Sequence, residues 1–122
     1  MKAIFDTNIM IDYLNGIPQA KEEMKRFTIK AISIITYIEI GVGLEDSLHV
    51  KKIEDFILHH FDIVPVHQEI ANLAIIIRKK YKLKIPDALI FSTAQHMNAL
   101  LITRDVKDFS TSNPIIRIPY HL

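Results

Sequence analysis

The sequence predicts an α/β fold in which a parallel sheet is covered by helices. Largely apolar runs of strand length, rich in isoleucine and valine, recur at residues 29–35, 61–66 and 100–103, as strands buried on both faces require. Between them lie segments whose apolar residues follow helical spacing. The alternation runs the length of the chain with no internal repeat, linker or low-complexity stretch, and such alternation packs as parallel strands joined by right-handed crossovers. With 122 residues, of which 49% are hydrophobic, the chain suits one domain, residues 1–122, large enough to bury a core of its own.

Residues 2–6 read as a short buried strand, because Ala3, Ile4 and Phe5 are apolar up to Asp6. Residues 8–15 read as a helical turn or two closed by Gly16, and Pro18 suits the first turn of a second helix reaching about residue 27. Residues 29–35 form a central strand. Thr36 then opens a helix with Glu39 at capping-box spacing, and Gly41 and Gly43 are expected to admit a second backbone at close range. Val50, Ile53, Phe56 and Ile57 mark a helical stripe over residues 47–59. A strand over 61–66 leads to a long helix over 67–81, with Ile70, Ala71, Ala74, Ile77 and Tyr81 on one side. Pro86 begins the next helix, to about residue 97, and residues 100–103 and 115–118 are the last strands.

Composition narrows the chemistry. There is no cysteine, so disulfides and thiolate metal sites are excluded. The N-terminus reaches Asp6 after too few apolar residues for a signal peptide. The most apolar stretch, 32–44, is interrupted by Glu39 and is too short to span a bilayer. The expected location is therefore the cytoplasm, with no membrane partner. Net charge is +1, with Lys and Arg concentrated in 21–30 and 78–84. Those clusters read as solvated helix faces or as a surface for a polyanion's backbone.

Four acids carry the functional signal. Asp6, Glu39, Asp87 and Asp105 each end an apolar segment or begin a helix, the positions where distant segments converge in a parallel sheet. Each has a plain structural reading: Asp6 as a helix cap, Glu39 as half of a capping box, Asp87 as a first-turn acid, Asp105 as a turn residue. Glu39 stands among Ile35, Ile38, Ile40 and Val42, where a carboxylate is costly unless paired or metal-bound. Asp108 competes with Asp105 for the fourth place; Asp105 is nearer the strand end. Four carboxylates in one cleft need a cation, and hard divalent ions such as Mg²⁺ or Mn²⁺ take oxygen ligands. Carboxylate-held metals commonly serve phosphodiester chemistry. The six histidines share no ligand spacing and read as surface or helix-end residues.

Asp6-Thr7-Asn8, Thr36-x-x-Glu39-x-x-x-Gly43, Pro86-Asp87-Ala88-Leu89-Ile90 and Thr103-Arg104-Asp105-x-x-Asp108-Phe109 resemble the motifs of PIN-domain proteins, and among them the VapC-type toxins. The resemblance covers essentially the whole chain. It implies a single-domain α/β/α sandwich with a central parallel sheet, and a Mg²⁺- or Mn²⁺-dependent endoribonuclease. It further implies a homodimer, and a small cognate antitoxin protein whose tail enters the acidic cleft. Asp6, Glu39, Asp87 and Asp105 would be the catalytic and metal-holding residues. Thr7 and Thr103 would hydrogen-bond those carboxylates, Asn8 would do so or touch phosphate, and Arg104 would meet the RNA backbone. The alternative is a PIN fold that binds RNA or protein without cutting. Met10, Tyr13, Leu14 and Met24 read as core residues first, or else as a groove for the antitoxin.

Overall fold

The computed structural model describes residues 1–45 and 47–122. Its elements are β1 (Lys2–Phe5), α1 (Thr7–Leu14), α2 (Pro18–Met24), β2 (Ile29–Ser33), α3 (Ile34–Gly43), α4 (Ser47–His60), β3 (Asp62–Val64), α5 (Gln68–Tyr81), α6 (Ile85–His96), β4 (Leu100–Ile102) and β5 (Ile116–Arg117). One five-stranded sheet has the order β3-β2-β1-β4-β5, and every pairing is parallel. The expected α/β/α sandwich is what the chain forms.

Pleating divides the core between the two faces, because successive side chains on a strand point opposite ways. Ile4, Ala31 and Leu101 face Ala74 and Ile77 of α5 and Ile90 and Phe91 of α6. Ala3, Phe5, Ile32 and Ile102 face the opposite layer, where α1, α2, α3 and α4 bring Ile9, Met24, Ile40 and Ile57. Phe5 meets Phe27 and Phe61 edge-on, each at 5.9 Å between ring centres, an arrangement aromatic quadrupoles favour.

The strand order fixes where a site can form. From β1 the chain builds outward to β2 and β3, then returns to the other side of β1 to add β4 and β5. The order therefore reverses between β1 and β4, and a crevice opens there beyond the carboxyl ends of the strands. Phe5 pairs with Ile102, so Asp6 and Thr103 leave the sheet side by side at the mouth of that crevice.

Several local expectations are corrected. Helix α3 opens at Ile34, capped by Ser33, whose hydroxyl accepts the Ile35 N–H at 3.0 Å; Thr36 is inside the helix and fully buried. The capping-box reading of Glu39 therefore falls. Among the described residues, a Cβ built on Gly41 or Gly43 meets nothing within 4 Å, so none of their backbone closes on the exposed last turn of α3. Strand β3 ends at Val64, because Pro65 has no N–H for the ladder. Tyr81, the last residue of α5, is 43% exposed although its ring lies 5.8 Å from that of Phe91, centre to centre. Met10 and Met24 are buried core, whereas Tyr13 and Leu14 are half-buried and line a surface groove with Ile17, Ile53 and Phe56.

Candidate metal centre

The crevice between β1 and β4 gathers the acids. Asp6 caps α1, its Oδ1 accepting the Thr7 N–H at 2.7 Å. Asp87 stands in the first turn of α6, held there by Pro86, whose missing N–H costs nothing at a helix start. Asp105 and Asp108 belong to the turn after β4: Asp105 Oδ1 accepts the backbone N–H groups of Lys107 and Asp108, both at 3.0 Å. That turn folds the loop back on itself. As a result Asp87, Asp105 and Asp108 each place a carboxylate oxygen within 4.8 Å of the others. Asp105 and Asp108 both reach the cluster.

The charge balance is unfavourable as it stands. Asp6 is buried, and burial, followed by the negative charges of Asp87 and Asp105, pushes its carboxyl up to about 6 despite hydrogen bonds from Thr103 and the Thr7 N–H. The Asp87 carboxyl is also raised, by desolvation first and then by Asp105, Asp108 and Glu39, with Lys84 opposing. Oxygen donors that repel one another and are short of positive charge suit a hard divalent cation. The residues present therefore fit Mg²⁺ or Mn²⁺.

Hydroxyls and an amide hold the acids in place. Thr103, fully buried, donates to Asp6 Oδ2 at 2.7 Å. The same Oγ1 accepts from the Asp105 N–H at 3.0 Å and from Asn8 Nδ2 at 3.2 Å. Asn8 Oδ1 in turn accepts the Arg104 N–H at 3.1 Å. Thr7 Oγ1 donates to Glu39 Oε1 at 2.7 Å and lies 3.0 Å from Thr36 Oγ1. Such oriented partners fix a ligand's direction and tune its basicity.

A PIN-domain profile matches residues 3–111 of the sequence. The chain belongs to the PIN-domain family. Its structure is similar to a toxin–antitoxin complex from Klebsiella pneumoniae, with 40% identity, a TM-score of 0.89, and 98% of this chain and 99% of that chain covered. It also resembles FitAcB from Neisseria gonorrhoeae (21% identity, TM-score 0.81, 98% and 99% covered). VapBC2 from Rickettsia felis, bound to a DNA fragment from its promoter, is similar too (22% identity, TM-score 0.76, 95% and 96% covered). The last two show the fold alone. Among curated proteins the comparison finds no match. Within the PIN family the chain resembles the VapC-type toxins.

Two sequence expectations change in this PIN domain. Glu39 is exposed, and Ile38 and Val42 beside it are 53% and 80% exposed, so no burial penalty compels it to bind a cation. It reaches the site through Thr7 and through its charge on Asp87. Arg104 is committed elsewhere: Nε and Nη2 form a bidentate pair with Asp12 at 2.5 and 3.0 Å. Tyr120 Oη donates to the same carboxylate at 2.9 Å. Arg104 therefore tethers the loop after β4 to α1. Sequence reading missed Asp12 and Tyr120. Their partners lie as much as 108 positions away, and no spacing rule signals such pairs. Among the described residues, no helix of this PIN domain is long and apolar enough to cross a membrane.

Proposed function

We propose that residues 1–122 form one endoribonuclease domain, dependent on Mg²⁺ or Mn²⁺, and that the protein is the toxin of a toxin–antitoxin pair. The observation that carries this reading is the convergence of Asp87, Asp105 and Asp108 within 4.8 Å, with the buried Asp6 carboxyl electrostatically coupled to the first two. Asp6, Asp87, Asp105 and Asp108 would hold the cation, with Glu39 at the cleft's outer edge. The chemistry such a cation would supply there, when bound, is Lewis acidity and a water of lowered pKa. Thr103 and the Thr7 N–H keep the Asp6 carboxylate oriented through their hydrogen bonds. Arg78, Lys79 and Lys80 in the last turn of α5, with Lys82 and Lys84 after it, lead directly to Asp87. This basic approach beside an acidic cleft suits a polyanion gripped by its backbone and cut at a metal.

The partner reading rests on the similar structures, one of them 40% identical, and on apolar surface that invites burial. Ile38 and Val42, one helical turn apart on α3, are exposed, as expected where a second protein docks, whether an antitoxin or a second copy in a homodimer.

The deciding experiment is cleavage of total cellular RNA by purified, partner-free protein with Mg²⁺, with Mn²⁺ and with EDTA, beside Asp87→Asn. Metal-dependent cutting by the wild type alone, leaving 5′-phosphate and 3′-hydroxyl ends, supports the proposal. Cutting that survives EDTA, or ends bearing 2′,3′-cyclic phosphate, refutes the metal mechanism. A folded protein that binds metal and cuts nothing refutes the nuclease reading in favour of a binding module.

A further inference from the structure

Far from the acidic crevice, the antiparallel pair α5 and α6 closes at its other end on His67, Glu69 and His96. His67 caps α5, Glu69 lies in its first turn and His96 in the last turn of α6. One ligand atom from each lies within 4.8 Å of the other two. His96 Nδ1 is 3.7 Å from Glu69 Oε2, and the two imidazole rings are 4.8 Å apart, centre to centre. Two ligands on one tetrahedral ion lie about 3.3 Å apart when each bond is about 2.0–2.1 Å. Small rotamer changes bring the three atoms to that spacing, and all three side chains are exposed and free to make them. The donors also differ in kind from those at the crevice. Imidazole nitrogen suits Zn²⁺, Ni²⁺ or Cu²⁺, whereas an all-carboxylate set suits Mg²⁺ or Mn²⁺. The carbonyl end of α6 adds negative potential beside His96.

We propose that His67, Glu69 and His96 form a second metal site, selective for Zn²⁺-class ions, that clamps the start of α5 to the end of α6. Water completes the coordination, since three protein ligands leave a position open. The distance along α6 from His96 to Asp87 is roughly 14 Å at the helical rise per residue, so the two sites do not share ligands. Histidine spacing in the sequence gives no hint of it, because the pair is brought together by the α5–α6 packing. The proposal is independent of the nuclease reading.

The test titrates Zn²⁺ into untagged full-length protein in excess Mg²⁺, following the histidine ring carbon-bound protons by NMR and the stoichiometry by calorimetry. Asp87→Asn is the control for binding at the crevice. The expected result is one Zn²⁺ per chain in both the wild type and Asp87→Asn, with the His67 and His96 ring signals perturbed together. His67→Gln and His96→Gln should each weaken binding by roughly tenfold or more, exceeding the usual loss of a supporting residue at its lower limit. They should also abolish the Zn²⁺-induced rise in Tm while leaving the metal-free Tm in place. Unchanged Zn²⁺ affinity in both histidine variants would overturn the proposal. So would Zn²⁺ binding that disappears in Asp87→Asn while the ring signals of the wild type stay unmoved.

Discussion

Raising the pH from 4 to 7 without divalent cations should cost the folded chain about 2.4 kcal/mol through Asp6 alone, most of the roughly 3 kcal/mol available over the whole titration. Its carboxyl titrates at about 6 in the fold against 3.8 in solvent, a gap of about two units at roughly 1.4 kcal/mol each. Burial is the main cause, followed on the raising side by the charges of Asp87 and Asp105. The folded state thus binds the proton more tightly than the unfolded chain does. The resulting stabilisation is complete below the unfolded value and is lost as the pH climbs through the folded one. For a domain of this size the loss corresponds to on the order of 10 °C in Tm. Thermal unfolding in EDTA between pH 4 and 7.5, followed by circular dichroism, reads it directly. Asp6→Asn is the reference: it alters absolute stability by changing the hydrogen bonds to Thr103 and Asn8, but it has no carboxyl to titrate. The wild type should therefore lose about 10 °C more than the variant across the range, and saturating Mn²⁺ at pH 7 should restore much of that difference. Parallel pH profiles for the two proteins would refute the reasoning.

Thr103→Val removes the donor to Asp6 and leaves the Asn8 amide and the Asp105 N–H without their shared acceptor; a loss of about 1–3 kcal/mol at pH 7 is expected by chemical denaturation. Arg104→Ala strands the buried Asp12 carboxylate and should cost about 3 kcal/mol, with Asp12→Asn recovering part of it in a double-mutant cycle. Additive effects in that cycle would show that the bidentate pair does not couple the loop to α1. Ser33→Ala should cost about 1 kcal/mol by uncapping α3; a change well below that would mean the helix starts elsewhere.

The sheet was legible because its strands are short, largely apolar segments rich in isoleucine, and the acids were legible because each stands at or beside such a segment. Asp6, Asp87 and Asp105 stand out in the sequence for the same reason that they converge: strand ends and helix starts of a parallel sheet share one edge. The start of α3 was harder to read. Ser33 and Thr36 are both competent caps, and Thr36 alone has an acid three residues on. The helix nevertheless begins at Ile34, where β2 has already turned out of the sheet. Glu39 illustrates a second limit, since two of its apolar neighbours in sequence, Ile38 and Val42, are exposed in space. Arg104 illustrates a third. Its partner Asp12 is 92 positions away, and only the pairing of β4 with β1 brings the two together. The His67–His96 contact was hidden in the same way, by a helix pair that no local rule specifies.

The strand order also sets a schedule. Strand β1 is made first, yet its neighbour across the crevice, β4, is nearly the last strand to be translated. Until residues 100–108 are added, Asp6 has no Thr103 to hold it, and neither Asp105 nor Asp108 exists to face Asp87. Three of the acids singled out by sequence are already present in such a nascent chain, but they sit beside an open sheet edge. The cleft is therefore completed by one of the longest loop closures the fold contains, the slow kind of step in folding. Any chain released before β4 lacks the Asp87–Asp105–Asp108 cluster altogether. Proteolysis within residues 103–108 should likewise disarm the site while sparing most of the core.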